Sequence, residues 1–375
     1  MQSPFLSKIV FACLLIIFSG IINAQEPTLV LQTGHLDAKE NESLVNSIQF
    51  SPDNRFILTG ARDGQVKLWH TETGKLVYTL PADNYSANAA FAGGGEYIIS
   101  GGSSSLKGWK TATGQLLYEI KAADFAFMDY HLSPDGKYLA VWKEDKLLIM
   151  SVANGKIIDS AAADGSAGET VMAGFAATAP KIFFIRNNKV IERNYLSHAD
   201  LRQYGSGDDI RSLLADDDKL VIIYYSRTVE VYNHTTGKKL STAKINLPEF
   251  SNLTALDASF ILGVKYDREN NIQPLQLFNT VNGAVIHRFP DSADVYGMPE
   301  YCFDKKTGLL AYGNMNAYSK ENHQLVIYNL KARKEEWRTG IQPWEKGFVF
   351  GKTNYIGLLD GNRARYFDLA TKESR

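Results

Sequence analysis

The sequence predicts an all-β chain folded as a single β-propeller of four-stranded blades. Three observations carry that expectation. First, one segment recurs. QVKLWHTETGKLVYTL at 65–80 returns as SLKGWKTATGQLLYEI at 105–120, KLLIMSVANGKIIDS at 146–160, TVEVYNHTTGKKLST at 228–242 and PLQLFNTVNGAVIHRF at 274–289. Weaker copies stand at 189–204, 324–339 and 363–375. Each copy alternates apolar and other residues, turns where small or polar residues admit φ > 0, and alternates again, which is a hairpin pattern. Second, the residue in the place of Trp69 recurs as Trp109, Met150, Arg193, Tyr232, Phe278, Tyr328 and Phe367, at a period near forty. About four short strands per forty residues is the spacing of propeller blades. Third, no helical periodicity competes beyond the first two dozen residues.

Taken in order, the chain opens with a leader. MQSPFLSK carries one Lys, IVFACLLIIFSGII is almost wholly apolar, and Asn23-Ala24 leads into a polar start. This is the build of a secretory signal peptide over residues 1–24, too short for a comfortable membrane span. Cleavage after Ala24 is expected, with a retained anchor as the alternative. Residues 25–375 then make one propeller. Thr28-Leu29-Val30-Leu31-Gln32 reads as a strand with no blade of its own. Each unit reads as strands a, b, c and d. IQFSPDNRFILTG supplies strands a and b of the first, and AFAGGGEYIISGG and YHLSPDGKYLAVW repeat it. Pro fixes φ and Asp caps the backbone in these turns. Eight markers favour eight blades, with seven plus an irregular segment as the alternative. The last unit lacks a good fourth strand, so the N-terminal strand is expected to complete it and close the ring.

Composition bounds the function. The chain has 375 residues, 45% apolar and 11% aromatic, with a net charge of -1. A large core is available, and neither sign of charge dominates. That argues against a nucleic-acid binder or a polybasic membrane-surface protein. Of the two Cys, Cys13 lies in the leader, so Cys302 is left without a disulfide partner.

The first unit carries a specific resemblance. Gly34-His35, Val45 to Asp53, Leu58-Thr59-Gly60-Ala61-Arg62-Asp63-Gly64 and Val66-Lys67-Leu68-Trp69 look like a WD-repeat. The resemblance covers about residues 29–160 well and is faint beyond. It implies a hydrogen-bonded structural tetrad of His35, Thr59, Asp63 and Trp69. Trp69 is followed by His70, so the Asp of the motif's name is missing. A His–Asp pair also suggests a catalytic base with its orienting carboxylate, but the motif favours the structural role.

Elsewhere the chemistry is sparse. None of the seven His pairs at zinc-ligand spacing, so no metal and no cofactor is expected. Asp216-Asp217-Asp218 reads as a solvated turn. Aligning the inner strands places Asn88, Asp129, Arg211 and Glu300 at one mouth of the central channel, with too few carboxylates for a calcium site. Arg62, Glu144, Arg227, Arg268 and Asn362 fall in b–c turns, a face that often takes protein partners in the WD-repeat family.

The sequence therefore favours an exported, periplasmic or secreted, noncatalytic propeller acting as a protein–protein interaction scaffold. The expected state is a monomer with protein partners, no nucleic acid and no stable membrane insertion after cleavage. The alternatives are a propeller enzyme, of quinone-dependent dehydrogenase or lactonase type, and a small-molecule or glycan binder at the channel mouth.

Overall fold

A computed structural model describes residues 31–32, 35, 45–83, 87–102, 104–121, 130–143, 145–164, 173–247, 252–264, 275–289, 301–314, 323–341, 345–350, 355–360 and 363–374. Their strands form eight antiparallel sheets, each running in chain order from strand a to strand d. The molecule is an eight-bladed β-propeller. Blade one is Val45–Phe50, Phe56–Ala61, Gln65–His70 and Leu76–Pro81. Blade two is Ala87–Ala92, Tyr97–Gly102, Ser105–Lys110 and Gln115–Lys121, and the pattern continues to blade eight. Strand a of blade one touches strand a of blades two and eight, so the a strands line the centre.

The core is divided among the seams between blades. Period-2 alternation sends successive side chains to opposite faces of a sheet, so each blade offers an apolar layer to both neighbours. Leu58, Val66 and Leu68 of blade one meet Ala87, Phe91 and Ile98 of blade two. Their neighbours on the other face, Ile57 and Trp69, meet Tyr366 of blade eight. Eight such clusters fill the eight seams among the described residues. Each fully buried aliphatic side chain contributes roughly 1.5–3 kcal/mol.

The forty-residue marker has a geometric cause. In the first seven blades the c–d pairing shifts register just before the marker, between Leu68 and Trp69, Gly108 and Trp109, and onward to Ile327 and Tyr328. Five residues after every marker, the c–d turn passes through positive φ. Glycine takes that position at Gly74, Gly114, Gly155, Gly237 and Gly283; His198, Arg333 and Lys372 take it in blades four, seven and eight. Those three blades are the ones whose hairpin motif fades in the sequence. The left-handed conformation survives there because the hairpin geometry demands it.

The ring closes between the chain ends. Leu31–Gln32 pairs antiparallel with strand c of blade eight, Leu31 opposite Ala364 and Gln32 opposite Arg363. The C-terminal Glu373–Ser374 covers the other half of the same strand. Blade eight therefore has a composite outer strand. Leader residues 1–24 lie outside the described residues. No helix among the described residues is long and apolar enough to cross a membrane.

Candidate functional site

Strands b and c of blade one join through a tight turn at Arg62-Asp63-Gly64. The carboxylate of Asp63 accepts the Gln65 backbone N–H at 3.0 Å. It also meets His35 Nδ1 at 2.9 and 3.0 Å. The other ring nitrogen, Nε2, lies 3.0 Å from Thr59 Oγ1. Trp69 Nε1–H donates to the same hydroxyl at 3.0 Å. His35 and Thr59 are fully buried. The chain His35–Asp63 and His35–Thr59–Trp69 uses both imidazole nitrogens, leaving neither to face a substrate.

Blade two keeps a remnant of this arrangement. Trp109 Nε1–H donates to Ser100 Oγ at 2.9 Å. Later blades solve the same problem with ions. Arg193, in the Trp69 position of blade four, donates to both Asp159 oxygens at 2.7 and 2.9 Å, and to Asp200 at 2.8 Å. Burial acts to raise the Asp159 carboxyl, but its bonds to Arg193 and His198 outweigh burial and hold it below the usual range. At the seam of blades four and five, buried Glu192 accepts from Tyr204 at 2.5 Å and Lys181 at 2.6 Å. Buried Glu230 accepts from Tyr224, Tyr232 and Lys239 at 2.6, 2.8 and 2.6 Å. Sequence reasoning passed over these groups. Glu192 left a signal, a charge one place before the marker where no other repeat carries one; Glu230 left none, since Lys67, Lys107 and Arg365 hold the same place in other repeats.

The channel row resolves into two positions. Ser47, Asn88, Ser212 and Asn252 are register equivalents on strand a, facing Gly60, Gly101, Ile223 and Val264. Arg211 is the extra residue of a bulge in blade five, between Ile210 and Ser212. From there its guanidinium bonds the Asn252 side chain of blade six and lies 5.6 Å from the Tyr225 ring. Ser47 Oγ accepts from the Ala89 N–H at 3.2 Å, and Gln49 Oε1 from the Phe91 N–H at 2.6 Å. Inner-strand side chains thus stitch one blade to the next. Asp129 and Glu300 lie outside the described residues.

Asp216-Asp217-Asp218 forms the a–b turn of blade five. Asp216 accepts the Ala258 N–H of blade six at 2.7 Å and is bonded by Lys305 of blade seven, which also lies 3.1 Å from Asp217. These acids therefore tie three blades together. No group of three or more His, Cys, Asp or Glu suited to a metal occurs among the described residues. Cys302 sits on strand a of blade seven, and burial pushes its thiol up.

On the b–c face, Arg62 is exposed. Arg227 adopts φ 66° and donates to the Leu247 carbonyl, so its guanidinium is partly committed to its own blade. Glu144, Arg268 and Asn362 lie outside the described residues.

Comparisons with known proteins agree with this geometry. The family model described as WD domain, G-beta repeat matches residues 26–70. Over 77 residues the chain is 31% identical to the small ribosomal subunit protein RACK1 of Caenorhabditis elegans. That match covers 20% of this chain and 23% of the relative. Among solved structures, BamB from Moraxella catarrhalis gives a TM-score of 0.61 at 15% identity, over 85% of this chain and 95% of BamB. The computationally designed Ika8 protein gives 0.63 at 15% identity, over 87% and 97%. At that identity both likenesses are of fold alone.

Proposed function

By the sequence of its first blade and the architecture of its whole ring, this chain is a WD-repeat β-propeller, and from that premise we propose that it is an exported, noncatalytic protein-interaction scaffold. The observation that carries the reading is the closed tetrad. His35 and Asp63 form a His–Asp pair whose polar atoms are engaged by Thr59 and the Gln65 N–H within the blade; in another such pair, His198 with Asp159, both carboxylate oxygens are held by Arg193. The leader at residues 1–24 supports export. The stitched inner strands favour a structural channel wall over a ligand cup. A rigid ring offers loops from eight blades, and affinity in such surfaces comes from a few aromatic or Arg anchors. On the b–c face, Arg62 is the exposed candidate, with Arg268 its counterpart in blade six by sequence.

The test is capture from the exported fraction of the native host. The full chain, tagged at its C-terminus, is crosslinked gently and its companions identified by mass spectrometry. A near-stoichiometric partner lost on Arg62→Glu with Arg268→Glu supports the reading and locates the face. Recovery of the chain alone overturns it.

A further inference from the structure

The exposed apolar side chains are not scattered. Among the described residues, every large one except Tyr225 lies on strand d or the c–d turn of blades one to six. Leu76, Leu116, Ile157, Leu240 and Val285 stand within three residues of the start of five outer strands. They are 47%, 42%, 60%, 49% and 39% exposed. Blade four contributes Leu201, and blade seven breaks the row with Glu335 and Glu336.

The c–d turns beside this row are basic. Lys75, Lys156, Lys238, Lys331, Arg333 and Lys372 are exposed, and none is in an ion pair among the described residues. The a–b turns on the same face carry most of the acids, and several of these are answered locally. Arg55 meets Asp53 at 2.7 Å, Lys137 meets Asp135 at 3.6 Å, and Lys305 meets Asp216 and Asp217. The outer rim thus carries six cations outside ion pairs, with Glu72 the exposed acid among the c–d turns, around an inner ring whose acids are partly neutralised and partly, at Asp218, Asp257 and Asp304, bonded to uncharged groups.

We propose that this rim docks the ring on an anionic lipid surface. Its cations meet headgroups, and its apolar side chains enter the interface between them. Two features favour lipid over a protein partner. A protein interface gathers its anchors into one buried centre, whereas these side chains are dispersed, one or two to a blade, over six blades. Their spacing follows the repeat, as a chemically uniform, planar partner allows. Apolar residues interleaved with cations also form the combination that interfacial binding uses. The inference goes beyond the scaffold reading and does not depend on it.

The test is flotation of the full chain with vesicles of phosphatidylcholine alone, or with about one third phosphatidylglycerol. The expected result is binding to the anionic vesicles that salt reverses, weakened at least ~10-fold by Lys75→Glu, Lys156→Glu and Lys238→Glu together. Leu116→Ser with Ile157→Ser weakens it severalfold. These positions are exposed, and circular dichroism verifies that each variant is folded. The leader is present in every variant, so binding insensitive to the charge reversals belongs to the leader and overturns the proposal. Failure to float overturns it too, as does protection of the rim only by a captured protein.

Discussion

Tyr366 Oη donates to the backbone carbonyl of Thr71 at 2.6 Å, joining residues 295 positions apart. Tyr366 belongs to strand c of blade eight, and Thr71 follows strand c of blade one. The bond crosses the seam that the chain must find last. Beside it, Tyr366 packs edge-on against Phe50 at 6.0 Å and Tyr355 at 5.8 Å. Backbone pairing of Leu31–Gln32 with blade eight closes the same ring.

Tyr366→Phe keeps the buried ring and removes the donor. Thr71 then holds a buried carbonyl short of its partner, at a cost of about 1–3 kcal/mol. Urea unfolding is expected to show a lower midpoint with an unchanged slope. A wild-type midpoint would show that the bond contributes nothing to closure.

Thr59→Val breaks two bonds at once, leaving His35 Nε2 and the Trp69 N–H unpaired in the core of blade one. A loss of about 3 kcal/mol is expected. Ser100→Ala in blade two breaks one bond of the same kind and is expected to cost less. Thermal denaturation of both variants checks the order, and a Thr59→Val cost no larger than that of Ser100→Ala argues against the tetrad as the cement of blade one.

The c–d turns make a prediction of opposite sign. Arg333 holds φ 56° where five other blades use glycine. A side chain in that conformation costs roughly 1 kcal/mol, partly returned by its restriction of the unfolded chain. Arg333→Gly is expected to stabilise by a few tenths to ~1 kcal/mol. Gly283→Ala is expected to destabilise, since its φ is positive and a Cβ would lie 2.6 Å from the Lys244 carbonyl oxygen. Calorimetric melting temperatures moving in the same direction for both variants would contradict this account.

Acid is expected to weaken the seams around blades four and five. Burial raises the Asp159 and Glu230 carboxyls, but Arg193 with His198, and Lys239 with Tyr224 and Tyr232, hold both below their ordinary values. A carboxyl depressed in the folded state stabilises above its unfolded pKa, about 4. That stability fades as pH falls from there towards the folded value. Near-UV dichroism followed down from pH 6 is expected to show the loss beginning near pH 4. Asp159→Asn should lower stability at pH 7 while flattening the acid dependence. A variant with the wild-type acid slope would place the titration elsewhere.

Much of this was legible before the structure. Strand c is marked by Trp69, Trp109 and their successors because a register shift stands just before the marker and a left-handed turn five residues after it, and both constrain side chains. The tetrad residues were legible because Asp63 and Thr59 sit at fixed offsets from Trp69. The inner strand of blade five was less so. There Ala215, opposite Leu220, takes the place that Phe50 holds opposite Ile57, so the row falls on Ser212 and leaves Arg211 in the bulge; with a side-chain period of two, an offset of one residue exchanges the faces. Glu230 was silent for another reason: its place in the repeat also takes Lys67, Lys107 and Arg365, and its partners Tyr224 and Lys239 come from neighbouring strands.

The sequence by itself determined the repeat, the strand alternation and the turn chemistry, because these are local consequences of φ, ψ and side-chain direction. It also supplied the strand that closes the ring, since Leu31–Gln32 is strand-forming without a blade. Only the tertiary structure decided which blades touch through which side chains. It set Tyr366 against Thr71, Lys305 against Asp216, and Arg211 against Asn252. It also gathered the free lysines of the c–d turns onto one rim. The physical reason is that a propeller repeats its backbone faithfully every forty residues, while its seams bring together residues that the chain order keeps at least one blade apart.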